Sequence, residues 1–157
     1  MQERLTPFEA APDTVRAMQE FEQHLRHCGL EYSLIELVKT RASQINGCAF
    51  CVHMHTRDAR AAGESEARLY LLSAWRESPL FSERERAALA WTEALTLLAQ
   101  TQAPQQDYEA LGRHFSAKEM VELTFLIGAI NTWNRLAVGF RVAHPVAKDD
   151  LPWAANG

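Results

Sequence analysis

The sequence contains few of the features on which several specialised protein classes depend. Three cysteines in 157 residues are too few for a disulfide framework. Sixteen lysines and arginines face twenty aspartates and glutamates, and no basic stripe is available to neutralise nucleic-acid phosphates. β-Branched residues are sparse and no alternating apolar run persists, so no strand is predicted. We therefore expect a globular helical protein without a nucleic-acid partner.

Export and membrane signals are also missing. The N-terminal stretch MQERLTPFEAAPD carries acidic residues and no apolar core of a signal peptide. The most apolar stretch, residues 123–132, is too short and too often followed by polar residues to span a bilayer. We expect a cytoplasmic protein with no membrane association. In that reducing compartment a C-x-x-C pair is redox-active or metal-binding rather than structural.

Helical periodicity and end signals predict an all-α fold of six or seven helices in a single domain, residues 1–157, with a core of about residues 15–142. Two Ser-x-x-Glu capping boxes, beginning at Ser82 and Ser116, mark helix starts. After a loose arm over 1–11, the predicted helices are 12–28, 33–46, 48–62, 65–75, 82–99, 104–114 and 116–142.

Reactive side chains are concentrated between Glu36 and His55. Cys48 and Cys51 have C-x-x-C spacing, and His55 follows one turn later. At about 100° per residue, these three side chains share one helical stripe about 60° wide. His53 falls on another face, where a surface or subunit contact is expected. The sequence therefore places His55, and not His53, beside the thiols.

Both thiols lie at the start of a predicted helix, where free N–H groups and the helix dipole favour a thiolate. A thiolate attacks a peroxide to give a sulfenic acid, which a neighbouring thiol converts to a disulfide. Because Cys51 lies nearer to His55, we predict that Cys51 attacks with help from His55. Cys48 is then the resolving thiol.

Glu36 has two interpretations. Ser33-x-x-Glu36 matches a capping box, so the carboxylate could close the start of its helix. The tight Asn46-Gly47 turn instead predicts a helical hairpin, in which Glu36 reaches His55, orients its ring and raises its basicity.

Other roles for this stretch stay open. Glu36, Cys48, Cys51 and His55 are possible zinc ligands, although helix rise stretches the last three over about 10 Å. The cysteines could also be structural, or serve a thiol–disulfide oxidoreductase that acts on a protein partner.

Several residues outside this stretch have expected positions. The apolar last helix is either the central core helix or an oligomer interface, so a charge at Ile127 or Ile130 should cause misfolding or dissociation. Core packing is expected for Cys28 and is favoured for three tryptophans, Trp75, Trp91 and Trp133, with the lining of a substrate pocket as their alternative role.

The pattern Glu-x11-Cys-x2-Cys-x3-His, formed by Glu36, Cys48, Cys51 and His55, resembles the alkylhydroperoxidase AhpD core within the carboxymuconolactone decarboxylase-like superfamily. Residues 73–96 and 121–141 also resemble members of that group. The resemblance implies an all-helical fold that assembles into trimers or hexamers. It also implies a thiol peroxidase in which Cys51 forms the sulfenic acid, Cys48 resolves it, and Glu36 and His55 relay protons.

One position departs from the AhpD pattern. AhpD carries a further histidine before the second cysteine, where this sequence has Phe50. AhpD's peroxiredoxin partner and lipoamide-linked reductant are therefore not carried over, and decarboxylase activity is not expected because decarboxylase members lack the C-x-x-C. We expect a hydroperoxide substrate, a dithiol electron donor of unknown identity, and no cofactor or metal.

Overall fold

The computed structural model describes residues 2–146. Within this range the chain is entirely helical, as predicted, with nine α-helices, one 3₁₀ turn at Leu72–Ala74 and no strand. The α-helices in chain order are α1 Pro7–Ala10, α2 Pro12–Arg26, α3 Tyr32–Ile45, α4 Ala49–Ala61, α5 Glu66–Leu71, α6 Glu83–Thr96, α7 Leu98–Thr101, α8 Gln105–Gly112 and α9 Ala117–Phe140.

All seven predicted helices form, and the differences lie at their ends. The arm that was expected to be loose contains α1, which has Pro7 at its first position, where the absent N–H costs nothing. The helix predicted to reach residue 99 ends at Thr96, and the separate turn α7 follows. Helix α7 ends at its C-cap residue Gln102, which has a left-handed backbone conformation with a φ of 53°.

Both predicted capping boxes are confirmed. The side chains of Ser82 and Ser116 accept the N–H groups of Glu85 and Glu119, whose carboxylates return to the serine N–H groups. Each box satisfies backbone groups that the first turn of a helix leaves without partners.

The central position in the fold belongs to α3. It packs against α4, α6 and α9, and residues 34–40 are buried without interruption. A helix that is buried on all sides has neighbours around its whole circumference. Helix α4, which carries the two cysteines, packs on α3 and also contacts α9.

The last helix, α9, is a core helix with one exposed side. Ile127 and Ile130 are each 1% exposed, so a charge at either position should disrupt folding before it affects any association. Val121, Phe125 and Val138 instead face outward. Within residues 2–146 no helix is both long enough and apolar enough to cross a membrane.

The three tryptophans and Cys28 pack against hydrophobic clusters, as expected. Trp75 is buried in a cluster with Leu72 and Phe81. Trp91 and Cys28 are partly buried against the main hydrophobic cluster. The third tryptophan, Trp133, is partly buried against the cluster that contains both cysteines, and it also lines a cavity.

Candidate active site

The two cysteines meet at the N-terminus of α4. Gly47, with a φ of 64°, makes the turn that ends α3, and Cys48 follows as the N-cap residue of α4. The Cys51 N–H points to the Cys48 Sγ at 3.4 Å. Both side chains are buried, at 1% and 2% exposure. The short Asn46-Gly47 turn thus places a thiol where a helix offers its unpaired N–H groups.

This position makes the two thiols chemically unequal. A hydrogen bond from the Cys51 thiol, together with the backbone N–H groups of Cys51 and Phe50 and the Asn134 side chain, lowers the pKa of Cys48 to about 7 against the opposing effect of burial. The pKa of Cys51 is raised because its thiol donates to Cys48 and is buried. Of the two thiols, Cys48 therefore loses its proton first as the pH rises.

His55 and Glu36 form a buried pair behind the thiols. The His55 Nδ1 lies 2.8 Å from the Glu36 Oε2, which joins α4 to α3. A ring that shares its Nδ1 proton with a carboxylate keeps Nε2 for other partners. The alternative role of Glu36 as a helix cap is wrong, because α3 begins at Tyr32 after Glu31 and has no side-chain cap. The expected hairpin contact between Glu36 and His55 is present.

A cavity of about 390 Å³ opens beside these groups. Cys51 and His55 contribute to its wall, and Cys48 lies behind Cys51 outside the lining. Its remaining walls come from α1, α2, α3, α4, α9 and the segment after α9. Most of the lining is apolar, and it includes Phe50, Met54, Ile130, Trp133, Leu136 and Val142. Of the two cysteines, a small organic molecule in this cavity would contact Cys51.

A metal site is not formed by these side chains. Among residues 2–146, no three His, Cys, Asp or Glu side chains are grouped as ligands for one ion. The Glu36 Oε2 is bonded to His55, and Glu36 is not in the lining of the cavity that Cys51 borders. Its other oxygen, Oε1, is buried without a hydrogen-bond partner in the described part of the chain. Glu36 also borders a second cavity of about 170 Å³.

Comparison with known proteins places this site in a family. A family model described as the carboxymuconolactone decarboxylase family matches residues 12–94, which include both cysteines, Glu36 and His55. The chain belongs to the carboxymuconolactone decarboxylase family. The uncharacterised protein YdfG of Bacillus subtilis (strain 168) is 38% identical over 138 residues, which cover 88% of this chain and 94% of YdfG.

Solved structures of this family's fold agree with the helical architecture. A protein of unknown function from Agrobacterium tumefaciens, suggested to be the antioxidant defence protein AhpD, is 49% identical. It superposes with a TM-score of 0.91, and the match covers 93% of this chain and 100% of that protein. The debrominase Bmp8 is 18% identical, has a TM-score of 0.81, and is matched over 88% of this chain and 75% of its own. At that identity the likeness to Bmp8 shows a shared fold alone.

A polar residue that the sequence analysis overlooked, Asn134, also lies near the thiols. Asn134 on α9 donates to the Ser43 hydroxyl at 3.0 Å and accepts from the Asn46 amide at 2.8 Å. Asn134 helps to lower the pKa of Cys48. The available signal was an asparagine in an otherwise apolar helix, since a buried amide needs partners.

Lys39 was also overlooked as a site residue, and for Trp133 a place in the pocket was the less favoured alternative. Lys39 is 3% exposed, lines the cavity and pairs with Glu22 of α2. Trp133 packs against the core cluster that contains Cys48 and Cys51, and its ring also forms part of the cavity wall, while its indole N–H donates to Glu22 at 3.3 Å. A lysine within a run of buried residues is rare enough to have served as a signal.

His53 lies away from the thiols, as expected. Its ring stacks on that of His144, with 5.3 Å between ring centroids, and it does not line the main cavity. Because His53 and His55 are two residues apart, at about 100° per residue their side chains lie on nearly opposite sides of α4.

Proposed function

We propose that this protein is a thiol-dependent peroxidase that reduces organic hydroperoxides through Cys51 and Cys48. The observation that carries the proposal is the cavity with the Cys51 thiol and the His55 imidazole in its wall. A second thiol, Cys48, lies within one helical turn and has a lowered pKa. This combination supplies an attacking sulfur, a resolving sulfur and a proton carrier.

The first step is assigned to Cys51, because it is the thiol that borders the cavity. The Cys48 thiolate accepts the Cys51 proton as the Cys51 sulfur attacks the hydroperoxide and the O–O bond breaks. Cys51 is oxidised to a sulfenic acid and the hydroperoxide is reduced to an alkoxide, which takes the proton from Cys48 and leaves as an alcohol, so Cys48 is a thiolate again. A lowered pKa suits Cys48 to act as this base.

In the second step the Cys48 thiolate attacks the sulfenic sulfur of Cys51. A disulfide forms, and hydroxide leaves as water after it takes a proton from the His55 ring. Glu36 holds that ring in place through its Nδ1. An external dithiol then reduces the disulfide and is itself oxidised to a disulfide.

Burial of both cysteines bears on the alternative of a thiol–disulfide oxidoreductase. Exchange with a folded protein requires the partner's disulfide to reach a sulfur atom. Cys48 and Cys51 are 1% and 2% exposed, which favours a small substrate and a small dithiol donor. A donor of this size can enter the cavity that also admits the hydroperoxide.

The test counts free thiols in a Cys28→Ser background before and after one equivalent of cumene hydroperoxide. We expect a loss of two thiols per chain and release of cumyl alcohol. A sulfenic-acid trap should label Cys48→Ser and leave Cys51→Ser unlabelled. If both thiols stay free after peroxide addition, the peroxidase proposal is wrong. Labelling of Cys51→Ser alone would exchange the two cysteine roles.

A further inference from the structure

Lys39 is a buried cation in the wall of the cavity. It follows Glu36 by one turn of α3, its side chain is 3% exposed, and it lines the same cavity as Cys51 and His55. An ammonium group in an apolar cavity requires an anionic partner. In this structure the partner is the Glu22 carboxylate of α2, bound to the Lys39 Nζ.

Glu22 is placed as a partner that a ligand can replace. Its side chain is 22% exposed, compared with 3% for Lys39, and it is held from a different helix. Its other oxygen accepts only a longer hydrogen bond, 3.3 Å from the Trp133 Nε1. Arg26 lies one turn further along α2 and also lines the cavity, so a displaced Glu22 has a second cation near solvent.

The apolar lining and the volume of the cavity indicate the chemistry and size of the uncharged part of a ligand. Phe50, Met54, Ile130 and Leu136 provide apolar walls, and Met54 is flexible enough to fit chains of different shape. A volume of about 390 Å³ suits a small organic molecule. The wall therefore combines apolar surface with one buried ammonium group.

We infer that this cavity binds an apolar carboxylate, whose carboxylate group replaces Glu22 on Lys39 while its chain lies along the apolar wall towards Cys51. Combined with the proposed peroxidase function, on which this part rests, the substrate class is the free hydroperoxy carboxylic acids with apolar chains. Esterified forms lack the charge that Lys39 recognises. The ion pair with Glu22 keeps the ammonium group neutralised while the cavity is empty.

Calorimetric titration of the purified reduced protein with decanoate and with methyl decanoate tests this inference. We expect decanoate to bind about tenfold more tightly than its ester, since a charge-assisted bond is lost in the ester. Lys39→Met should remove the preference. Glu22→Gln should strengthen decanoate binding and leave ester binding unchanged, because the competing carboxylate is gone.

Matched controls are Lys118→Met on the exposed side of α9 and Glu20→Gln on the exposed side of α2. Both should bind the two probes like the native protein. Equal affinity of the native protein for acid and ester, or a preference that persists in Lys39→Met, would overturn the inference. If Lys39→Met fails to fold, Glu22→Gln decides alone: unchanged decanoate binding would mean that the pair only joins α2 to α3.

Neither probe contains a peroxide, so binding and peroxidase activity are tested separately. Decanoate binding without thiol loss to any hydroperoxide would refute the peroxidase proposal and keep the carboxylate site. If cumene hydroperoxide is turned over and a hydroperoxide that carries a carboxylate is turned over no faster, the peroxidase proposal is kept and the carboxylate preference is refuted.

Discussion

At the scale of single residues, the site depends on a difference between two cysteines one turn apart. Cys48 caps α4 and receives hydrogen bonds from the Cys51 thiol and backbone N–H groups. Cys51 lies one turn further into α4 and borders the cavity. The helix N-terminus therefore stabilises charge on the thiol that lies behind the cavity wall. This division suits Cys48 to act as base and then as resolving nucleophile.

The thiol titration should show this difference. In a Cys28→Ser background, ultraviolet thiolate absorbance should rise with a midpoint near pH 7, because the pKa of Cys48 is lowered to about 7. Below that pH both thiols are protonated, and above it a single thiolate is present. Cys51→Ala removes the main donor and should move the midpoint up towards the ordinary value of 9.0. A single midpoint near 9.0 in both proteins would contradict the assignment.

At the scale of elements, two arginines connect the capping boxes to other helices. Arg84 at the start of α6 contacts Glu119 in the box of α9 at 2.6 Å. Arg68 of α5 binds Glu85 in the box of α6. Each acidic residue therefore closes its own helix and holds a neighbouring element. The helix starts and the packing between helices are consequently coupled.

The α9 box gives a prediction for stability and its pH dependence. Ser116→Ala should lower the free energy of unfolding by about 1 kcal/mol, as for other N-cap serines. The Ser116 backbone and hydroxyl, followed by Arg84, lower the pKa of Glu119 from 4.5 to about 2. A lowered carboxyl pKa stabilises the folded state above pH 4.5, and this contribution is lost as the pH falls to about 2.

Urea unfolding at several pH values measures both effects. Glu119→Gln should be less stable than the native protein at neutral pH, and the difference should shrink in acid. Glu122→Gln, three residues later on α9, is the matched control and should keep the native pH profile. A constant difference between Glu119→Gln and the native protein at every pH would contradict this account.

At the scale of the whole molecule, the exposed side of α9 is the surface on which a homo-oligomer would form. Val121 and Phe125 are 55% and 53% exposed and lie on one stripe with Gly128, whereas Val138, 48% exposed, lies about 100° around the helix from Val121. Apolar side chains aligned along an exposed helix are typical of protein interfaces. We propose association through this stripe, in line with the trimers or hexamers that the AhpD resemblance implies.

Light scattering with thermal unfolding distinguishes the two sides of α9. Phe125→Asp should reduce the oligomer mass and keep a cooperative unfolding transition, because within the chain it loses mainly the edge-to-face contact with Phe21, about 1 kcal/mol. Ile127→Asp places a charge in the core and should cost about 3 kcal/mol or more. An unchanged oligomer mass for Phe125→Asp would exclude this stripe as the interface.

Local signals in the sequence determined most of the helical framework. Helical periodicity, the serine caps and the glycine stops depend on neighbouring residues, so the seven longer helices were predicted from the sequence. The stripe shared by Cys48, Cys51 and His55 follows from 3.6 residues per turn. Local patterns also produced a wrong alternative, since Ser33-x-x-Glu36 matches a capping box although α3 begins earlier.

Only the tertiary structure decided which other residues reach the thiols. Lys39 comes from α3, Glu22 from α2, and Trp133 and Asn134 from α9, and no local pattern encodes how these helices meet. Packing also fixed the ionisation order, because the pKa of Cys48 depends on its donors and on burial. The sequence alone determined the reactive pair and its histidine, whereas the cavity and its buried ammonium group required the assembled helices.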